Sequence, residues 1–431
     1  MRTSPAAALI GACALCGCHR APDAATVGPD AGQVPVASAS AAPTIAPPRC
    51  HATGQGAAIA EPEDLELGAA TARADGYAVG LVHRTGAGRV AAVGLAGADL
   101  SLRVVDLGPT LGDAPPPHLA VRGAGLLAAA YGGAHADTRE LRVYDVATSG
   151  DARLLGVVAE QRDDSLAFDV APGLVVWDEA TVGKSVHGVV RGATVSVDGR
   201  VGAAHDLSPP DSDAEAPRIV AGAADGKGYF VLWLARRPEV GATHVDAAPV
   251  PETVGEPRAY SWIEMAVVDG SGAPVGAARH LTSTSGHVSA YDVRAVSGEA
   301  RPAVLVVARD LGEAVDGSGG ALLRVRARED GADPPLAFPT DGLGRGAPSF
   351  VDGPSPWLAW VDAHEAVQLL PLDGAGAPVA PPSLEPSLDD RSPLLELPSG
   401  APGASDAGAA RVLVAAPADS TAQLQVFACA R

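Results

Sequence analysis

The sequence contains no asparagine and only two lysines, Lys184 and Lys227, among its 31 Lys and Arg residues. Without asparagine the chain has no acceptor for N-glycosylation and no Asn side chain for catalysis or metal binding. Aromatic residues make up only 4% of the chain, whereas glycine occurs 51 times and proline 37 times. This skew is typical of a GC-rich genome, so residue propensities indicate structure less reliably in this chain than periodicity does.

Positively charged residues are fewer than negatively charged ones, with 31 Lys and Arg against 51 Asp and Glu, and the formal net charge is −20. Such a charge repels a phosphate backbone at long range and disfavours nucleic acid as a partner. No apolar run after the first twenty residues is long enough for a transmembrane helix. The 431 residues are nevertheless 47% hydrophobic, which is enough for a large core or for two domains.

The first seventeen residues have the features of a signal peptide. Arg2 supplies a positive start, and a short apolar region runs from Ala6 to Leu15. The next residues, "LCGC" from Leu15 to Cys18, resemble a bacterial lipobox, although Cys16 stands where a smaller residue is commoner. The resemblance implies that residues 1–17 are removed and that Cys18 carries the lipid. An ordinary secretory signal peptide is the alternative.

Residues 18–49 are rich in Ala, Pro and other small residues and have no apolar period. This composition predicts a disordered tether between the lipid on Cys18 and a folded domain at 50–431. Together, these segments predict an envelope protein anchored to a membrane by lipid, on the periplasmic side or at the cell surface.

One short pattern recurs along residues 50–431: a Gly, Pro or turn, then five to seven apolar residues, then a polar stop. Short, continuously apolar runs predict strands that are buried on both faces. Strand-like phrases precede most copies, such as "LAFDV" and "PRIVAG", and others follow them. One phrase before the apolar run and up to two after it predict a repeating unit of four strands. The seven copies begin at Gly76, Gly125, Gly173, Gly228, Pro302, Pro356 and Arg411.

Seven units of four strands resemble a seven-bladed β-propeller. We therefore predict an all-β fold, a seven-bladed propeller of four-stranded blades, although no signature of a particular propeller family recurs. The last unit lacks a fourth strand, and the segment that begins at Cys50 precedes the first unit. We predict that this N-terminal segment completes the last blade, closes the ring and places Cys50 beside Cys429.

Cysteine usage predicts a disulfide between these two positions. Three of the five cysteines are lost with the signal peptide or bound to lipid, which leaves Cys50 and Cys429 in an oxidising compartment. One disulfide joining the two ends of the folded region is the simplest interpretation. Two separate buried thiols are the alternative.

Motifs for common catalytic chemistries are incomplete. "VGKS" at 182–185 lacks the first glycine of a phosphate-binding loop, because Asp178 stands there. "HEAVQ" from His364 has Gln368 in place of the second histidine of a HExxH zinc site. No GxSxG nucleophile elbow occurs. The sequence therefore indicates no catalytic residue, no metal ligand and no cofactor.

Two insertions carry the candidate site. Residues 208–217 link the third predicted blade to the fourth, and residues 236–259 separate the second and third strands of the fourth. Both connections emerge on the same face of a propeller, so their acidic and histidine side chains could bind a ligand or a cation; solvated loops are the alternative. The candidate residues are Asp211, Asp213, Glu215, His244 and Asp246.

Two classes of function fit these features. The favoured one is a membrane-anchored, monomeric binding scaffold without catalysis, whose partner is an unidentified protein or glycan. The alternative is a propeller hydrolase or lyase with its site in the central funnel. Carboxylates or histidines that converge in the funnel would favour the enzyme, whereas a lining of Ala, Gly and Val would favour the scaffold.

Overall fold

The structure is a computed structural model. It describes the following residues: 50–59, 65–73, 75–97, 101–133, 139–160, 167–181, 187–210, 212–238, 259–296, 301–312, 320–338, 340, 342–344, 346–351, 356–364, 366–385, 394–397, 409–418 and 421–430. The predicted signal peptide, Cys18 and the tether lie outside these ranges.

The described part of the chain is almost entirely β-strand, in antiparallel sheets that follow one another along the chain. The first strand, β1 (Cys50–Ile59), does not belong to the same sheet as the strands that follow it in sequence. Sheets 1 to 3 then contain β2 (Glu66–Arg73), β3 (Gly76–Thr85), β4 (Gly88–Gly97), β5 (Leu102–Pro109); β6 (His118–Arg122), β7 (Gly125–Gly132), β8 (Glu140–Val146), β9 (Ala152–Glu160); and β10 (Phe168–Ala171), β11 (Leu174–Thr181), β12 (His187–Val195), β13 (Val201–Asp206).

Sheets 4 to 6 follow the same plan, with a one-turn helix between the first two strands of sheet 4. Their elements are β14 (Asp213–Gly222), α1 (Ala223–Gly226), β15 (Gly228–Pro238), β16 (Ala259–Val268), β17 (Arg279–His280); β18 (Val288–Ala295), β19 (Ala303–Asp310), β20 (Ala321–Arg328), β21 (Gly331–Ala332), β22 (Leu336–Ala337); and β23 (Ser349–Val351), β24 (Trp357–Val361), β25 (Val367–Pro371), β26 (Ser383–Glu385). The final sheet contains β27 (Leu394–Leu397), β28 (Ala409–Ala418), β29 (Thr421–Ala430) and β1.

The fold is a β-propeller, but the prediction of seven four-stranded blades is wrong. The described residues form six four-stranded sheets, and the remaining sheet, sheet 5, has five strands. Its outer position is divided, because β21 pairs with one end of β20 and β22 pairs with the other. Pro334 and Pro335 lie between these two short strands. Proline cannot donate a ladder hydrogen bond, so an unbroken fourth strand does not form here.

The first strands of the seven sheets lie next to one another around the axis of the ring. β2, β6, β10, β14, β18, β23 and β27 contact one another in that order, and β27 contacts β2. We call them the inner strands. Hydrophobic side chains fill the spaces between neighbouring sheets, where Trp177, Trp233 and Trp357 are almost fully buried. The apolar sheet faces thus hold the ring together, and the inner strands surround its axis.

The two ends of the described region meet in the final sheet. β1 pairs with β29, and the backbone register places Cys50 opposite Cys429. The N-terminal segment therefore completes the sheet that the C-terminal strands begin, and the expected pairing of the two ends is confirmed. The side chains of these strands lie outside the description, so the disulfide itself stays a prediction.

Two connections with nearly the same sequence, residues 268–277 and 372–381, contain turns, as their Asp-Gly pairs suggest. In each, an aspartate Oδ1 accepts two backbone N–H groups, at 2.8 and 3.2 Å for Asp269 and at 2.9 and 2.8 Å for Asp373. The positive φ values, however, fall on Gly272 (86°) and Gly376 (81°) rather than on the glycines that follow the aspartates. The aspartates therefore act in turn formation.

Candidate functional site: charged residues of the inner strands

The residues predicted from the two insertions are only partly described. Asp211, His244 and Asp246 lie outside the described residues, so whether the five candidate residues cluster is not tested. Asp213 and Glu215 belong to β14 rather than to a loop, which corrects the predicted link at 208–217. Antiparallel pairing with β15 extends to Asp213, because the inner strand of sheet 4 begins there.

Both of these acidic residues have structural partners. Asp213 Oδ1 accepts the backbone N–H of Gly188 at 2.9 Å, and Glu215 forms an ion pair with Arg236. Burial raises the pKa of Glu215, the positive charge of Arg236 opposes that effect, and the negative charges of Asp178 and Asp213 add to it. These contacts join β14 to its neighbours and leave Asp213 and Glu215 as weak candidates for binding a cation.

A different set of charged residues converges on the inner strands. The first is Asp169 on β10, whose Oδ1 lies 3.0 Å from His118 Nδ1 on β6. Its Oδ2 accepts the backbone N–H of Ile219 on β14 at 3.0 Å. Asp169 therefore contacts the inner strands on both sides of its own. Its side chain is 18% exposed, so solvent still reaches it.

Asp292 repeats this arrangement two sheets further on. On β18, it accepts the N–H of Val293 at Oδ1 (2.8 Å) and the N–H of Phe350 on β23 at Oδ2 (2.6 Å). Asp169 likewise accepts the N–H of the residue that follows it, Val170, at 2.9 Å. Each aspartate thus ties its inner strand to the next one along the ring.

Arg218 on β14 lies between these two aspartates in sequence and interacts electrostatically with both. Burial lowers the pKa of Arg218, but the charges of Asp169, Asp292 and Tyr291 outweigh burial and raise it. No hydrogen bond or ion pair joins its guanidinium group to another described residue, although the side chain is partly exposed. Arg218 is therefore a permanent cation that lies near two carboxylates without a direct hydrogen bond to either.

A β-bulge decides where Arg218 points. In the pairing of β14 with β15, Glu215 lies opposite Leu234 and Arg218 lies opposite Leu232, so three steps on one strand match two on the other. Side chains alternate along a regular strand, and residues three apart would point to opposite faces. The extra residue in the bulge therefore places Glu215 and Arg218 on one face of sheet 4.

The two aspartates have opposite pKa shifts. Burial raises the pKa of Asp169, but its hydrogen bond to His118, the charges of His118 and Arg218, and the N–H of Ile219 outweigh burial, so its pKa is lowered. For Asp292 burial dominates over Arg218 and the backbone donors, and the pKa is raised. Asp169 is thus the more firmly ionised of the two, and Asp292 accepts a proton more readily.

A cleft next to sheet 6 is the other candidate region among the described residues. It has a volume of about 710 Å³ and a buried floor that includes Trp360 and Leu370. Its carboxylate, Asp362, already accepts the N–H groups of His364 and Ala366 and the side-chain amide of Gln368. The carboxylate of the cleft is therefore already hydrogen-bonded, and the inner strands are the stronger candidate.

Metal ligation finds no support in the described ranges. Within them, no group of three or more His, Cys, Asp or Glu side chains is arranged to hold a metal ion.

In the same ranges no helix has the length and hydrophobicity to cross a membrane.

The sequence contained a signal for the inner-strand residues that periodicity alone did not use. Asp169 stands within "LAFDV" and Arg218 within "PRIVAG", two of the phrases that precede the strongest apolar runs. A charged residue inside a short apolar strand is costly to bury unless it has a partner or a function. This energetic cost distinguishes both residues in the sequence, but the sequence does not show that their strands are neighbours in the fold.

No protein-family model matches the sequence, and no curated protein matches it. Among solved structures, the β-propeller domain of the Trilobed protease from Pyrococcus furiosus is similar at 9% identity and a TM-score of 0.44, over 85% of this chain and 94% of that one. A lignostilbene dioxygenase from Pseudomonas brassicacearum is similar at 13% identity and a TM-score of 0.41, over 80% and 95%. An endo-arabinase from Bacteroides thetaiotaomicron is similar at 12% identity and a TM-score of 0.33, over 63% and 93%. Scores at this level carry no argument about function.

Proposed function

We propose that the protein is a non-catalytic binding module of the cell envelope that recognises an acidic sugar through Arg218. The observation that carries this proposal is the Arg218 side chain, which has no hydrogen bond or ion pair to another described residue and interacts electrostatically with Asp169 and Asp292. An arginine fork matches the geometry of a carboxylate and binds it with two hydrogen bonds.

The neighbouring aspartates favour a sugar acid over a simple anion. Carboxylate oxygens accept hydrogen bonds from hydroxyl groups, and each aspartate oxygen has capacity beyond the backbone donors it already holds. A uronate offers both features, with a carboxylate for Arg218 and hydroxyl groups for Asp169 and Asp292. An inorganic anion such as sulfate would offer the charge but no hydroxyl group for the two carboxylates.

A propeller hydrolase or lyase is the second candidate function. The pairing of His118 with Asp169 favours it, as do the opposite pKa shifts of Asp169 and Asp292, because such pairs serve as acid and base in many enzymes. Binding is preferred because both carboxylates tie inner strands together through backbone N–H groups. A group that holds the ring in place is poorly suited to give up its charge in every catalytic cycle.

Calorimetric titration of the full chain with trigalacturonate tests this proposal. The expected result is binding that falls at least about tenfold in Arg218→Gln, because a hydrogen bond to a charged group is worth about 1.5–3 kcal/mol. Arg122→Gln is the matched control, since Arg122 is also on an inner strand but is paired with Asp145 at 2.7 Å. Equal affinity for neutral galactotriose would overturn carboxylate recognition, and cleavage of trigalacturonate would favour the enzyme.

The location of the protein is part of the same proposal. The "LCGC" stretch supports lipid attachment at Cys18 and removal of residues 1–17, and the expected Cys50–Cys429 disulfide belongs to the same oxidising compartment. Fractionation of cells that express Cys18→Ser should find the variant released from the membrane or unprocessed. An unchanged membrane fraction and mature mass would contradict the lipid anchor.

A further inference from the structure

Ala216 has an unusual backbone conformation. Among the described residues it is the one non-glycine residue with a positive φ, at 52°. L-residues other than Gly, Asn and Asp seldom adopt this left-handed conformation, because Cβ approaches the neighbouring carbonyl oxygen. Such a conformation persists where surrounding contacts hold it, and it marks sites that deserve a functional explanation.

Buried side chains from the two adjacent sheets hold both peptide groups of Ala216. Its N–H donates to Asp178 Oδ2 on β11 at 2.8 Å, and its carbonyl oxygen accepts from Tyr291 Oη on β18 at 2.7 Å. The Tyr291 hydroxyl also lies 2.9 Å from the carbonyl oxygen of Leu232, which pairs with Arg218. Asp178 is 2% exposed and Tyr291 is 5% exposed. These hydrogen bonds are therefore shielded from competition with water.

The held residue is part of the bulge that orients Arg218. Ala216 lies between Glu215 and Arg218, where the register of β14 shifts against β15. Pro217 follows it and has no N–H to pair with the neighbouring strand, which suits a bulge. If the bulge relaxed into a regular strand, Arg218 would turn away from the face that it shares with Glu215.

We propose that Asp178 and Tyr291 are positioning residues that hold Ala216 in its left-handed conformation and thereby keep Arg218 directed at the ligand. Sheets 3 and 5, which lie on either side of β14, then set the orientation of Arg218 through Asp178 and Tyr291, and neither of these two side chains contacts the ligand. The positioning of Arg218 is independent of ligand identity, but its effect on affinity rests on the proposed function.

The first test compares affinities for trigalacturonate. Tyr291→Phe removes only the hydroxyl group and should weaken binding about fivefold or more, the equivalent of losing one ordinary hydrogen bond. Tyr229→Phe is the control, because Tyr229 is a half-buried tyrosine of the neighbouring β15. Adding Ala216→Gly to Tyr291→Phe should restore part of the affinity, because glycine adopts positive φ without steric cost.

The second test needs no ligand. Phenylglyoxal modifies accessible arginines, and mass spectrometry can follow its reaction at Arg218 relative to the exposed Arg301 of the same molecule. Tyr291→Phe should change this ratio, and the added Ala216→Gly should return it towards the wild-type value. A lower unfolding temperature with an unchanged ratio would show a merely structural role and overturn the positioning.

The two tests separate the two proposals. If trigalacturonate does not bind the wild-type protein but the modification ratio changes as expected, the acidic-sugar proposal fails and the positioning of Arg218 stands. If trigalacturonate binds through Arg218 and neither affinity nor the ratio responds to Tyr291→Phe, the positioning fails and the binding proposal stands.

Discussion

Replacing Asp169 with alanine should destabilise the propeller much more than removing a similar aspartate from its surface. Asp169 accepts hydrogen bonds from His118 and from the backbone N–H groups of Val170 and Ile219. Ile219 is 7% exposed, so its N–H would lose its acceptor in a place where water replaces it poorly. An unsatisfied buried donor costs about 1–3 kcal/mol, and a lost bond to a charged group costs a similar amount. The expected loss for Asp169→Ala is therefore about 3 kcal/mol.

The chain contains a matched control for this experiment. Asp106 also pairs with a histidine, because its Oδ1 lies 2.9 Å from His83 Nε2, but its side chain is 58% exposed against 18% for Asp169. Exposed pairs of this kind contribute about 0–1 kcal/mol. Urea unfolding of the full chain at pH 7, followed by tryptophan fluorescence, measures both variants. Equal losses, or a loss below about 1 kcal/mol for Asp169→Ala, would refute the role of Asp169 in joining the inner strands.

The same pair of proteins gives a pH dependence whose sign is fixed. The pKa of Asp169 is lowered in the folded state from its ordinary value of 3.8. Its ionised form therefore contributes stability that is fully present above the unfolded value and is lost as pH falls through the folded value. The difference between wild type and Asp169→Ala should shrink as pH falls below about 4. A difference that kept its size or grew in that acidic range would contradict the lowered pKa.

Two further predictions follow from single positions. Gly80→Ala should lower the free energy of unfolding by about 3 kcal/mol or more, because a Cβ at this position would lie 1.8 Å from the carbonyl oxygen of Pro117. Gly86→Ala is the control and should change it by about 0.5 kcal/mol or less, because nothing lies within 4 Å of a Cβ there. Equal urea midpoints for the two variants would contradict this prediction. Affinity for trigalacturonate should rise as pH falls through the raised pKa of Asp292, because protonation removes a negative charge near Arg218; a flat profile in wild-type protein would exclude that coupling.

Much of the architecture could be predicted because it depends on local patterns. Short apolar runs between turn residues mark buried strands wherever they occur, and the unpaired segments at the two chain ends indicated how the ring closes. The strand count of sheet 5 could not be predicted in the same way. The fourth-strand position there is shared by two short strands, and the sequence does not show that the Pro334–Pro335 pair divides a strand rather than ending one.

The candidate site was largely beyond the reach of sequence patterns. His118, Asp169, Arg218 and Asp292 come from four different sheets, and only the closed ring brings their strands together. The direction of Arg218 depends on one extra residue in a bulge, which reverses the alternation that sequence reasoning assumes. The acidic residues near 211–215 attracted attention because they are dense in sequence. Of the described ones, Asp213 accepts a backbone N–H group and Glu215 pairs with Arg236.

The pairing of the chain ends makes a disulfide between Cys50 and Cys429 a sharp prediction. The two residues are opposite each other on antiparallel strands, where Cα atoms lie about 4.5–5.5 Å apart. That separation is within the range that a disulfide spans. Because the closed loop would contain nearly the whole propeller, the entropic model gives a stabilisation of about 6 kcal/mol.

A peptide map of the exported protein under non-reducing conditions should therefore contain a fragment that joins the segments around Cys50 and Cys429. Reduction should lower the unfolding temperature, and Cys50→Ser should lower it equally, with no further loss on reduction. Quantitative alkylation of both thiols without reductant would contradict the disulfide. In that case backbone pairing alone would hold β1 to β29, and the final sheet would be expected to open before the other sheets, because only hydrogen bonds and side-chain packing would close the ring there.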